Sequence, residues 1–137
     1  MKTIKKVVNL DGFTVRQDFS ATVEKMTGGE VWAWDSSSVT IESMEGGEVW
    51  AWNSSTSTIE TLKGGEVRMF EGSTLTIEKM EGGDAWVKHS STLTVEKMAG
   101  GFVWASDSSS LTIKNATGGE VRMYGGSSLT LKLKIQP

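Results

Sequence analysis

The sequence predicts an all-β fold, a single-domain parallel β-helix (β-solenoid) of about seven 18-residue coils, and three observations carry that prediction. Seven consecutive blocks of 18 residues run from Leu10 to Ile135 in one register, clearest in GGEVWAWDSSSVTIESME (Gly28 to Glu45) and GGEVWAWNSSTSTIETLK (Gly46 to Lys63). With slots numbered from the Gly-Gly pair, a threonine fills slot 13 of every block: Thr22, Thr40, Thr58, Thr76, Thr94, Thr112 and Thr130. Two stretches of each block alternate apolar and polar residues with period two, the signature of strands rather than helices. A repeat near 20 residues marks a solenoid, in which each unit buries its apolar face only against its neighbours. Each slot then becomes a column along the rod.

The first strand of a coil comes from slots 4 and 6, apolar throughout, as in Val31 and Ala33, Val67 and Met69, Val103 and Ala105. The second comes from slots 12 and 14, as in Val39 and Ile41, Leu75 and Ile77, Leu111 and Ile113. Polar residues such as Asp35-Ser36-Ser37 read as the turn between them. On the return, slot 17 holds Met26, Met44, Leu62, Met80 or Met98, suited to an irregular corner of the core, before Gly-Gly turns the chain with positive φ. Inward slots at 4, 6, 12, 14 and 17 do not fit the left-handed hexapeptide helix, so a right-handed coil is expected. The calcium-binding β-roll also spends 18 residues per turn, but it needs two glycine pairs and an Asp per coil that are missing here. A meander of hairpins is the alternative topology, although it would not bring equal slots side by side.

Residues 1–137 are read as one domain: an N-terminal cap over 1–9, the repeats over 10–135 and a tail over 136–137. The ends differ from the middle. Leu10-Asp11 stands in place of Gly-Gly and Phe19 in place of the slot-10 serine, as in a plugged first coil. The last strand alternates Leu129, Leu131, Leu133 and Ile135 with Lys132 and Lys134 before Pro137. Lysines on an edge strand oppose edge-to-edge pairing, and Lys2, Lys5 and Lys6 serve the other end.

With no cysteine there is neither a disulfide framework nor a thiolate metal site. MKTIKKVVNL is too short in apolar residues for a signal peptide and nothing reaches membrane-spanning length, so a cytoplasmic protein without a membrane partner is expected. A net charge of -3 and a pI near 5.2 speak against direct nucleic-acid binding, which rests on cationic contacts to phosphate.

Function is expected on the outward columns. The first is Trp32, Trp50, Arg68, Trp86, Trp104 and Arg122 at slot 5, flanked at slot 7 by Trp34, Trp52, Phe70, Lys88, Ser106 and Tyr124. Stacked rings and Arg-on-Trp contacts would stabilise a sheet by themselves. Yet so many rings on one face exceed what solubility asks for, and Trp and Arg are enriched at interface hot spots. The partner-binding residues are therefore expected among Trp32, Trp34, Trp50, Trp52, Arg68, Phe70, Trp86, Trp104, Arg122 and Tyr124. Their partner would be a protein or a second copy forming a dimer, with carbohydrate as a further option.

The second column is acidic: Glu24, Glu42, Glu60, Glu78 and Glu96 at slot 15, with Glu30, Glu48, Glu66, Asp84 and Glu120 at slot 3. Like charges stacked on adjacent strands are destabilising, and Lys25, Lys79 and Lys97 are expected to offset part of that. A solvated face is the plain reading, and a surface that competes with nucleic acid for a basic protein, as an acidic phage-type inhibitor would, is the functional one. The third column pairs slots 11 and 13, including Thr40, Thr56 with Thr58, Thr74 with Thr76, Thr92 with Thr94, and Thr112. These S/T-x-T arrays resemble those of β-solenoid antifreeze and ice-nucleating proteins, a resemblance that implies ice binding by those hydroxyl and methyl rows. The coil size resembles that of bactofilins, without their sequence pattern. Threonine is also a favoured strand residue, and Thr pairs stabilise a sheet with no ligand.

Catalysis finds little footing. His89 is the sole histidine and no phosphate-cradling glycine loop precedes a helix. Glu71, His89 and Asp107 share slot 8 on successive coils, where turn residues are the simpler reading than a metal set. No enzyme activity, cofactor or metal is expected, and the leading function is that of a binding scaffold.

Overall fold

The computed structural model describes residues 2–7, 13–15 and 19–131, with side chains from residue 20 onward. It is a parallel β-solenoid of about six turns of 18 residues, without a helix among the described residues. The first and last of the seven sequence blocks fall partly outside those residues. So do Leu10, Asp11, Lys132, Leu133, Lys134, Ile135 and Pro137, and the side chains of Lys2, Lys5, Lys6 and Phe19, on which the expected end caps rested.

Fifteen strands follow in order: β1 (Lys2–Val7), β2 (Phe13–Val15), β3 (Phe19–Met26), β4 (Glu30–Ala33), β5 (Ser38–Met44), β6 (Glu48–Ala51), β7 (Thr56–Leu62), β8 (Glu66–Met69), β9 (Thr74–Met80), β10 (Asp84–Val87), β11 (Thr92–Met98), β12 (Phe102–Ala105), β13 (Ser110–Ile113), β14 (Glu120–Met123) and β15 (Ser128–Leu131). Odd-numbered strands other than β1 come from slots 10–17 and even-numbered ones from slots 3–6. They form an eight-stranded sheet in the order β1-β3-β5-β7-β9-β11-β13-β15 and a seven-stranded sheet in the order β14-β12-β10-β8-β6-β4-β2. Every pairing is parallel, and from β2 and β3 onward equal slots lie opposite one another, as in Trp32↔Trp50 and Thr58↔Thr76, whereas β1 meets β3 with a shift in register. The segment read as an N-terminal cap supplies β1, whose Thr3 and Ile4 lie beside Ser20 and Ala21.

The core lies between the two sheets. Slots 4, 6, 12, 14 and 17 are buried from Ala21 to Ile113, and the corner residues Met26, Met44, Leu62 and Met80 are 0% exposed. Slot 17 points inward although alternation would favour slot 16, because the strand bends. In β5, β7 and β9 the partner register runs through slots 11–14, skips slot 15 and resumes at slots 16 and 17. Two consecutive residues therefore face outward at the corner, as the burial of β9 records.

The turn between the strands is tighter than composition alone implied. The slot-10 amide donates to the slot-7 carbonyl, as Ser55 N does to Trp52 O at 3.2 Å, and from Asn53 onward slots 8 and 9 both take positive φ, as in Asn53 (48°) and Ser54 (63°). Positive φ at both central positions is the type I′ geometry. The turn swings the slot-10 serines inward, so Ser37, Ser55, Ser73, Ser91 and Ser109 are buried rather than solvated. Ser73 and Ser91 hydroxyls meet at 3.1 Å, and Ser109 Oγ donates to the Val87 carbonyl.

The paired glycines do two different jobs. The second takes positive φ, +91° at Gly65, as expected. The first has no positive φ but lies against the previous coil, where a Cβ on Gly64 would stand 2.6 Å from the Glu45 carbonyl oxygen.

Candidate functional site

Slots 5 and 7 flank the buried slot 6, so their side chains leave the core on the outer face of the seven-stranded sheet. Slot 5 lies mid-strand, while slot 7 is the first residue of the tight turn, which fixes the backbone beneath its ring. In the first half of the rod the rings stack. Trp32 and Trp50 lie 4.8 Å apart with planes 4° from parallel, and Trp34 and Trp52 lie 5.1 Å apart at 5°. Phe70 continues the slot-7 stack at 4.3 Å from Trp52. Strand spacing near 4.8 Å imposes this separation, and offset stacking at that distance is favourable by about 0.5–1.5 kcal/mol per pair.

At slot 5 the stack is interrupted by a cation. The Arg68 guanidinium sits 4.8 Å from the Trp50 ring centroid and 5.9 Å from that of Trp86. Glu66, two residues earlier on the same face, holds it with a 2.9 Å ion pair. The same i, i+2 relation lets Glu30 accept from Trp32 Nε1 at 3.1 Å and Glu48 from Trp50 Nε1 at 3.3 Å. Three acids of the slot-3 column are thus tied to the ring face, a role that a reading of them as a second solvated charge row passes over. Period two along a four-residue strand was the available signal.

The second half is built differently. Trp86 and Trp104 meet edge to face, with centroids 3.7 Å apart and planes at 70°. Slot 7 holds Lys88, whose Nζ lies 5.7 Å from the Trp86 centroid, then Ser106, then Tyr124, which is 54% exposed. Together with Arg122 these side chains line a shallow depression of about 360 Å³. The ten ring and arginine positions expected to bind a partner therefore share one face, as two unlike halves.

On the other sheet, slot-13 threonines Thr40, Thr58, Thr76, Thr94 and Thr112 are half-buried and in register. Beside them Thr56, Thr74 and Thr92 at slot 11 are exposed. The acidic column follows on the same strands at the bend, with Glu60 and Glu78 exposed and Glu42 and Glu96 half-buried. Lys114, which occupies slot 15 one coil on, reaches Glu96 at 3.4 Å, and Lys25 reaches Glu45 at 3.6 Å. Lys79 and Lys97 lie in register with each other.

Glu71, His89 and Asp107 are all turn residues with positive φ, and His89 approaches Asp107 at 4.0 Å. Among the described residues no group of three potential ligands is poised for a metal ion.

The chain matches no protein-family model, no curated protein and no solved structure. Fold and face together define a class, a tandem-repeat parallel β-solenoid with an aromatic and cationic side.

Proposed function

We propose that this chain is a non-enzymatic scaffold that docks a protein partner through the ring-bearing face of its seven-stranded sheet. The observation that carries this reading is the continuous run of half-buried rings and Arg68 from Trp32 to Trp104 on side chains that point away from the core. The core needs none of them, and rings already ordered by stacking lose little entropy when a partner covers them. A second copy is one such partner, since a two-fold arrangement would set the same face against itself. Replacing Trp32, Trp50, Trp86 and Trp104 together by threonine keeps strand propensity and removes the face. The variant is expected to lose partners in pull-down or to become monomeric by light scattering. An unchanged oligomeric state with an unchanged pull-down profile refutes the proposal.

Ice binding is supported by a separate observation, the in-register rows of slots 11 and 13 on the eight-stranded sheet. It predicts thermal hysteresis in a nanolitre osmometer, lost when Thr58, Thr76 and Thr94 become lysine. A trace equal to buffer dismisses it.

A further inference from the structure

The two halves of the ring face differ in one respect that points to a ligand. At slot 7 of the first half, three rings fill successive rungs at 5.1 and 4.3 Å. In the second half the middle rung carries Ser106, with Lys88 one rung before it and Tyr124 one rung after. Two rungs span roughly 9–10 Å. A planar group touching a neighbour on each side at about 3.5–4.0 Å fits that gap once. The space is the depression described above, floored by Ser106 and bounded by Trp86 and Trp104.

Charge narrows the occupant. Arg68 is neutralised by Glu66. Lys88 and Arg122, by contrast, form no ion pair among the described residues, and the strand between theirs carries Phe102 where others carry an acid. A guest bearing a carboxylate beside its ring would meet both cations. Asp84, Asp107 and Glu120 lie on the same coils, and the chain carries net charge -3, which favours one or two acidic groups over a polyanion such as nucleic acid.

We propose that the gap at Ser106 receives one aromatic side chain flanked by carboxylates, presented by an acidic segment of a partner protein. This rests on the docking reading of the face and assigns the chemistry of its second half. Ring edges and faces of Trp86, Trp104 and Tyr124 contact the guest ring, while Lys88 and Arg122 take the acids.

The probe is a blocked five-residue peptide with a central phenylalanine between glutamates, titrated into the full chain and followed by two-dimensional NMR of backbone and indole N–H groups. Shifts are expected at the Trp86 and Trp104 indoles and the Ser106 amide, weakening as salt is added. Ser106→Trp fills the gap with the residue that slot 7 already accommodates at Trp34 and Trp52, so it should fold and abolish the shifts. Arg122→Gln should weaken binding by about two- to fivefold, the range of an exposed ion pair. Equal binding of a peptide with lysines in place of the glutamates overturns the proposal, as does binding that survives Ser106→Trp, and so does the absence of shifts. In that last case docking through the ring face as a whole still stands or falls on the fourfold tryptophan variant, so the two readings fail separately.

Discussion

Ser57 is a flaw in an otherwise aliphatic column, and correcting it should stabilise the protein. It occupies slot 12 of β7 between Val39 and Leu75, is 3% exposed, and its hydroxyl finds no hydrogen-bond partner among the described residues. An unpaired buried hydroxyl costs about 1–3 kcal/mol, and each buried methylene equivalent that valine adds contributes about 0.8 kcal/mol. Crowding opposes this, typically by about 1–3 kcal/mol, but valine already sits at this slot one coil away, which places the penalty at the low end. Ser57→Val is therefore expected to gain about 1–2 kcal/mol, or about 3–8 °C in Tm. The converse change, Val39→Ser, should lose about 2–4 kcal/mol by extending the polar hole. Urea unfolding followed by both tryptophan fluorescence and far-ultraviolet dichroism measures the difference, with an unchanged m-value as the check on a shared unfolding transition. A less stable Ser57→Val with native dichroism refutes the packing argument.

Three further substitutions test other parts of the structure. Gly64→Ala meets the Glu45 carbonyl at 2.6 Å and should destabilise by about 3 kcal/mol, whereas Gly72→Ala, with φ +74° but its nearest neighbour at 3.9 Å, should lose only about 1–2 kcal/mol. Equal losses in denaturant midpoint would show that conformation rather than close approach governs these glycines. Trp52→Thr removes contacts with rings on both sides, Trp34 and Phe70, and should lose about 1–3 kcal/mol in the same assay. A neutral result would mean the stack adds nothing to folding and would leave partner binding as its main role.

Much of this architecture was legible in the residues alone because a solenoid turns sequence period directly into space. Alternation at slots 4, 6, 12 and 14 implied two strands per coil, and the constant 18-residue spacing implied that Trp32 would lie beside Trp50 and Thr58 beside Thr76. Those relations need only the period of a strand and the repetition of one unit. What escaped depends on backbone geometry between the strands. The type I′ turn carries Ser55 and Ser73 into the core, although a run of polar residues reads as solvated. Slot 17 was expected inward, as Met44 and Leu62 are, but the bend at slot 15 that takes them there was not, and close contact between coils demands glycine at Gly64 without any demand on φ.

The ring face divides in the same way. Its membership was determined by the sequence, since slots 5 and 7 must leave the core if slots 4 and 6 enter it. Only the tertiary structure decided that Glu48 holds the Trp50 indole, that Glu66 holds Arg68 between Trp50 and Trp86, and that Trp86, Trp104, Ser106 and Tyr124 line one depression. Side-chain direction follows from strand period, but ring tilt and the partner of each charge depend on rotamers set by neighbours one coil away.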